Sequence, residues 1–498
     1  MRTLDWIVII AYALGMLAIG RFYGRQNETS DDYHLGGRKM SPFAVGLSLF
    51  ATLTSSLSYL AVPGEMIKHG PMQMAQFLIF PLIGIAVGWG LIPFIMRQKV
   101  TSAYAMLEVR FGSSVRLLGA SMFLVMRIGW MATILFATSD KVLAPMLGLS
   151  PQATLLAGIV MCVITLIYTA EGGIRAVVLT DAIQSLIMLG GAALVIAIIS
   201  FHLGGVSAWW PHQWASHWDD LRVGFDSTTR MTVFGMMTTA FFWYVCTCGS
   251  DQMAIQRWLS TRDAKAARHS LFTTLWAEAA VGLLLGMVGL AVVGYFTKHP
   301  ELFTENASLI KGADRLFPRF VMVGLPAGLT GIIIAAVLAA AMSSLSSGMN
   351  STSLVITEDF VPRFRSAPLD DATRLRLSRW ISVIIGIVVI LLSLLVSRIQ
   401  GNLVDLCFRV VNLLTAPLFV LFFLAMFISR ATTFSALLAG ATSIAVAVRI
   451  GYAQELGLPP ISMMWIMPAS FTCGVLAGVI GSFIPIGPGA KPITSEVS

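Results

Sequence analysis

A chain of 498 residues that is 56% apolar and 12% charged, with its apolar residues in repeated blocks of about 18 or more, excludes a soluble enzyme or a string of soluble domains. Its formal charge of +8 is spread over loops rather than gathered in one patch, which speaks against nucleic acid as a partner. The expectation is an all-α integral membrane protein in which residues 1–498 form a single transmembrane domain, with the lipid bilayer around it and no obligate protein partner evident.

Taken in order, the apolar segments predict thirteen transmembrane helices, over 5–24, 41–64, 71–96, 117–146, 151–170, 176–201, 230–253, 270–297, 321–357, 380–398, 402–428, 432–451 and 461–484. The first follows Arg2, precedes Arg21 and Arg25 and lacks an A-x-A cleavage pattern, which predicts a retained helix and no signal peptide. Placing the N-terminus outside puts 20 of the 33 Lys and Arg, Arg175 and Arg257 among them, in inner loops and 11 in outer ones. Arg127 and Arg409 are left within the membrane. The positive-inside rule therefore predicts a multi-pass protein of the plasma (inner) membrane with its N-terminus outside and its C-terminus cytoplasmic. The outer connection 202–229 carries Trp209, Trp210, Trp214 and Trp218, expected at the lipid interface or as a cap on the bundle. Residues 485–498 read as a disordered tail. Cys246 and Cys248 are spaced so that they point apart on a helix, and the cysteines read as core filler, not as a metal site.

The second helix contains a hydroxyl run, Thr52, Thr54, Ser55, Ser56 and Ser58, followed by Pro63-Gly64. Such a run suits either a kinked packing helix or a broken one, whose unwound carbonyls coordinate a cation or a substrate. Asp181 lies about one and a half turns into the helix 176–201 that follows the tight turn at Gly172-Gly173, and an uncompensated carboxylate at membrane depth is costly. It pairs with Arg175 at the membrane edge or joins a functional site. Farther along, Ser343, Ser344, Ser346 and Ser347 fall within an arc of about 160° on one helix face. Their oxygens suit a hard cation such as Na⁺ or, equally, a close helix-packing face. If Asp181 approaches Ser346 and Ser347, it supplies the charge that hydroxyls lack. Arg127 has no local partner, whereas Asp405 is one turn before Arg409; either arginine could hold a substrate carboxylate or be satisfied structurally. Gln76 and Glu278 are further polar groups at membrane depth.

Together these stretches resemble the sodium/solute symporter family, which includes bacterial sialic acid, proline and sugar symporters and animal iodide, monocarboxylate and vitamin symporters. The resemblance runs through nearly the whole chain. Asp31-Asp32-Tyr33-His34-Leu35-Gly36-Gly37-Arg38, the stretch from Gly172 through Asp181 to Gln184, and Ser343 to Ser347 carry it. It implies the inverted-repeat (5+5) fold of the leucine transporter. Residues 1–40 would be a leading helix and cytoplasmic loop, 41–202 a first five-helix repeat and 230–430 its inverted counterpart. Two trailing helices over 431–484 and the tail would follow. It implies a principal sodium site on the carbonyls of Ala51, Thr54 and Ala340 and the hydroxyls of Ser343 and Ser344. A second would lie on Asp181, Ser346 and Ser347 with Ser343 near both, so that two sodium ions are expected. It also implies a substrate cavity near Thr52, Ser55, Ser56, Ser58 and Gln76. Where the sialic acid transporters carry an arginine for the sugar carboxylate, this chain has Trp130, and Arg127 lies close to one turn earlier.

The function expected on these grounds is sodium-coupled symport of a small-molecule substrate by alternating access, with no enzymatic activity. Arg127 and Arg409 favour an organic anion such as a monocarboxylate or sugar acid. A neutral sugar, polyol or amino acid, or proton coupling through Asp181, is the alternative. A solute sensor would be expected to append a signalling domain, for which the tail is too short, and an intramembrane enzyme would need an H-E-x-x-H or a paired-aspartate constellation, which is missing.

Overall fold

The computed structural model describes residues 2–98, 100–303, 308–365, 367–396 and 403–484, with 403–411 in backbone only. Among these residues every regular element is helical. The chain opens with α1 (Thr3–Gly24), α2 (Ser30–Leu35), α3 (Pro42–Leu53) and α4 (Ser58–His69), followed by α5 (Pro71–Arg97), α6 (Ala105–Phe111) and α7 (Ser113–Leu147). Then come α8 (Pro151–Leu203), α9 (Val233–Ser250), α10 (Gln252–Leu259), α11 (Ala264–Lys298) and α12 (Ala313–Val323). The last are α13 (Leu329–Val355), α14 (Asp371–Val396), α15 (Leu403–Phe427), α16 (Thr433–Gly451) and α17 (Ile466–Gly481). Among the described residues nine helices are long and apolar enough to cross a membrane, and the bent pair α3 and α4 makes a tenth.

Local sequence sets the boundaries. Ser150 caps α8 ahead of Pro151 at its first position, and Thr232, Asp251 and Asp263 cap α9, α10 and α11 through their side chains. The 53 residues of α8 would extend about 80 Å if straight, far beyond a bilayer. The helix instead breaks at Gly173, with φ +60° and ψ −160°. A Cβ there would lie 2.6 Å from the Tyr33 carbonyl oxygen, so both the backbone angle and the space demand glycine.

Two helices are interrupted at membrane depth with nearly the same backbone. Thr54 between α3 and α4 has φ −90° and ψ 124°, and the two halves meet at 65°. Asp251 between α9 and α10 has φ −78° and ψ 123°. Of the kinked and the broken helix that the hydroxyl run left open, the structure has the broken one, with the break inside that run and nine residues ahead of Pro63. Pro63 serves packing instead, since a Cβ on Gly289 of α11 would meet the Pro63 carbonyl at 2.5 Å. The second break falls two residues before the end of the helix expected over 230–253, and the short buried helix α10 that follows it takes the place of the inner loop expected there. The helix expected over 321–357 is divided: Leu329 begins α13, while α12 ends at Val323 and starts at Ala313, in the stretch 298–320 left between two expected helices.

The core centres on α13, which packs against α1, α3, α7, α8, α10 and α14. Of its apolar window 83% is buried, against 22% for the peripheral α1. The outer connection caps the bundle: Trp218 donates through Nε1 to the Ile67 carbonyl at 3.2 Å, closing over the end of α4. Cys246 and Cys248 are buried and unbridged, while Cys407 and residues 485–498 lie outside the described residues or side chains.

On α2, outside the spanning helices, burial pushes the His34 imidazole down to about 3 from the usual 6.5. Its Nε2 lies 2.9 Å from Ser378 Oγ on α14, and its Nδ1 is buried without a partner. The unfolded chain takes up a proton near pH 6.5 and the folded protein does not, so this residue's contribution is present above about pH 6.5. It is lost as pH falls toward 3, at up to about 1.4 kcal/mol per pH unit. Denaturation midpoints between pH 7 and pH 5 should therefore fall less steeply in His34→Gln than in the parent.

Candidate functional site

The break at Thr54 strips the last turn of α3 of its helical hydrogen bonds. With Leu53 as the final helical residue, the carbonyls of Ala51 and Thr52 have no N–H four residues on. The serine face of α13 supplies donors. Ser343 Oγ donates to the Ala51 carbonyl at 2.8 Å, and Ser344 Oγ lies 3.2 Å from the Thr52 carbonyl and 3.5 Å from that of Thr54. Both hydroxyls also sit over the Ala340 carbonyl of their own helix, at 3.2 and 3.4 Å. Ala51, Thr54, Ala340, Ser343 and Ser344 are thus one cluster of neutral oxygens at the negative end of a half-helix, joining α3 to α13. Neutral oxygens in a dry site suit a hard monovalent cation and offer nothing to a soft metal. Thr54 is itself anchored, its Oγ1 donating to Glu278 Oε2 on α11 at 3.1 Å.

One turn along α13, the serines face Asp181. Ser347 Oγ donates to Asp181 Oδ2 at 3.1 Å, Ser346 Oγ lies 3.4 Å from Oδ1, and Ser48 of α3 donates to Oδ2 at 2.6 Å. Arg175, the alternative partner, pairs instead with Asp32 on α2 at 2.7 Å. The residue missed from the sequence is Arg257. Counted there as an inner-loop charge, it is 1% exposed, with Nη2 3.0 Å from Asp181 Oδ2, Nε 2.8 Å from Ser48 Oγ and Nη2 also donating to Ser347. The break at Asp251 turns α10 back into the bundle and delivers this guanidinium. Asp181 therefore uses Oδ2 for Arg257, Ser48 and Ser347, while Oδ1 faces Ser346.

The residues expected around substrate divide. Thr52 Oγ1 is 2.8 Å from Ser347 Oγ and donates to the Ser48 carbonyl, so it links the two oxygen clusters. Ser56 lies 2.6 Å from Thr138 of α7, and Ser55 is buried in the same break. Trp130 of α7 packs beside Leu57 at the break. Ser58 begins α4, and among the described residues no hydrogen bond ties Gln76 to this group. Arg127 pairs through Nη2 with Asp251, the partner that sequence alone did not supply. The Arg409 and Asp405 side chains lie outside those described.

Known proteins match this chain in sequence and in fold. A model of the sodium:solute symporter family matches residues 33–442. Similar proteins include the sodium/sialic acid symporter NanT of Aliivibrio fischeri, 30% identical over 91% of this chain and 89% of its own. The human sodium-coupled monocarboxylate transporter 1 is 27% identical over 92% of this chain and 74% of its own. A substrate-bound, outward-open Na⁺-coupled sialic acid symporter, whose structure revealed a novel Na⁺ site, superposes with a TM-score of 0.85 at 26% identity, covering 99% of this chain and all of that one. A nucleobase-cation-symport-1 family transporter in a closed conformation shares the fold, with a TM-score of 0.60 at 12% identity over 91% of this chain and 94% of its own. The chain belongs to the sodium:solute symporter family, whose members carry solutes across membranes and are not enzymes.

Proposed function

We propose that this protein is a sodium-coupled secondary active symporter that imports a small organic solute by alternating access, with two sodium sites. The observation that carries the reading is the cluster of Ala51, Thr54, Ala340, Ser343 and Ser344, where the end of a half-helix meets α13, the most buried of the long apolar helices described. A cation seated there holds α3 to α13, and its departure frees them to move apart. Sodium and solute then favour the same state and each raises the other's affinity. The second ion is assigned to Asp181 Oδ1 with Ser346, Ser347 and the nearby Ser343, beside the Arg257 pair. Thr52, Ser55, Ser56, Ser58, Gln76 and Trp130 are proposed to line the solute's path at the break. Thirteen spans follow if α8 counts as two at Gly173 and α9 and α15 each as one, and the excess of Lys and Arg on one side is the ground for an N-terminus outside.

Two of the relatives named above carry organic anions by their names, which favours a monocarboxylate or sugar acid here. One observation favours a second reading, a neutral sugar, polyol or amino acid: Arg127 is paired with Asp251, and so does not offer a free charge to a carboxylate. Proteoliposomes under an imposed inward Na⁺ gradient should accumulate the solute above its equilibrium level. A proton gradient at equal sodium on both sides should not drive uptake. Accumulation driven by protons alone would overturn sodium coupling.

A further inference from the structure

Where α1 ends at the membrane boundary, a cavity of about 270 Å³ is lined by Arg21, Gly24, Arg25, Glu171 and Arg379. Three arginines from two helices and the turn after α1 converge there, against one carboxylate. Among the described residues, none of the three forms an ion pair, although other arginines on nearby elements do: Arg175 with Asp32, Arg374 with Glu358, Arg116 with Asp359. Arg379 is held in place. Its Nη2 donates to the Gly24 carbonyl at 3.4 Å, and its guanidinium lies 6.0 Å above the Tyr33 ring. Its Nε is nonetheless buried without a hydrogen-bond partner. A buried donor left unmade is costly, and an oxygen-rich anion entering the cavity would satisfy it.

The walls are closely packed. A Cβ on Gly24 would lie 2.9 Å from the Glu171 carbonyl, so α1 packs directly on the bend of α8, and Asn27 Nδ2 donates to the Gly172 carbonyl at 2.9 Å. Next in sequence to Arg21 and Arg379, Phe22 is 61% and Trp380 62% exposed, apolar surface that a bilayer would cover. Aromatic side chains next to cations at a helix end mark headgroup depth. A basic cavity between helices at that depth is shaped to take a lipid phosphate.

We propose that this cavity binds a phosphate group, that of an anionic phospholipid headgroup. The site stands apart from the sodium clusters and does not depend on the transport reading. The test measures thermal stabilisation of the full-length protein in detergent on adding phosphatidylglycerol, phosphatidylcholine or inorganic phosphate. It compares the parent with Arg21→Gln/Arg25→Gln, whose side chains are exposed and spare the fold, and with Arg379→Lys, which keeps the charge but loses the planar fork. Phosphatidylglycerol should stabilise the parent, and phosphatidylcholine should not. The apparent affinity should fall roughly fivefold for each arginine charge removed, and fall again in Arg379→Lys. A control variant, Arg262→Gln/Arg365→Gln, removes two exposed charges elsewhere and should bind as the parent does. Inorganic phosphate giving the same variant-sensitive shift would support the phosphate site and make its source soluble. Equal stabilisation by phosphatidylcholine, or equal losses in the control variant, would overturn the proposal.

Discussion

Replacing Ser343 and Ser344 together with alanine should lower the apparent Na⁺ affinity of uptake by roughly tenfold or more for each hydroxyl removed. Each alanine takes one oxygen ligand from the ion. A hydroxyl contact to a charged group contributes about 1.5–3 kcal/mol, and about 1.4 kcal/mol is a factor of ten in affinity. The variant also loses the donors to the carbonyls of Ala51 and Thr52, so a stability loss in the absence of sodium is expected as well. The two effects separate because the affinity shift is read from the Na⁺ dependence of initial uptake rates. Ser351→Ala provides the control. It removes a hydroxyl from the same helix whose bonds run only to Ser347 and Gly348 of that helix, and it should leave the Na⁺ dependence unchanged. Equal Na⁺ dependence in the double variant and the parent would reduce the serine face to packing.

The second large effect is expected at Arg257. Arg257→Met removes the cation from a carboxylate that is fully buried, and breaking one partner of a buried pair costs about 3–5 kcal/mol because the remaining charge is uncompensated. A sodium ion at Asp181 would supply that missing charge. The variant should therefore be strongly destabilised in K⁺ and partly rescued in Na⁺, with a sodium-dependent shift in melting temperature larger than the parent's. Asp181→Asn/Arg257→Met removes both charges and should recover stability in K⁺ relative to Arg257→Met alone, since the two residues are in direct contact. A melting temperature in Arg257→Met that is low and indifferent to Na⁺ would argue against an ion at Asp181.

The parts of the architecture legible in the sequence were those set by local composition. Block hydrophobicity marked the spans, the hydroxyl run marked the first break, and the 100° spacing of four serines marked the face that meets α3. Asp181 could be read as costly, and its approach to Ser346 and Ser347 was expected from the resemblance. The unread parts depend on the second break. Asp251 follows Cys246, Cys248, Gly249 and Ser250 without a proline, so no local signal interrupted the apolar run. With the helix taken to end at 253 and a loop after it, Arg257 fell next to Arg262, Lys265 and Arg268 and counted as one more loop charge. Its burial against Asp181, and the pairing of Arg127 with Asp251, are both consequences of that one extended residue. Glu278 was equally opaque, because its partner Thr54 is 224 positions away in the chain.

An ion at the Thr54 break and a solute nearby are expected to stabilise one and the same state. The most direct measurement is the melting temperature of the purified protein against a panel of monocarboxylates, sugar acids, sugars, polyols and amino acids, in Na⁺ and in K⁺, for the parent and for Ser343→Ala and Asp181→Ala. A ligand that binds only the folded protein raises its apparent stability by mass action. The predicted result is a solute shift that appears in Na⁺, vanishes in K⁺ and fades in both variants. A solute shift of equal size in Na⁺ and K⁺ would contradict the coupling.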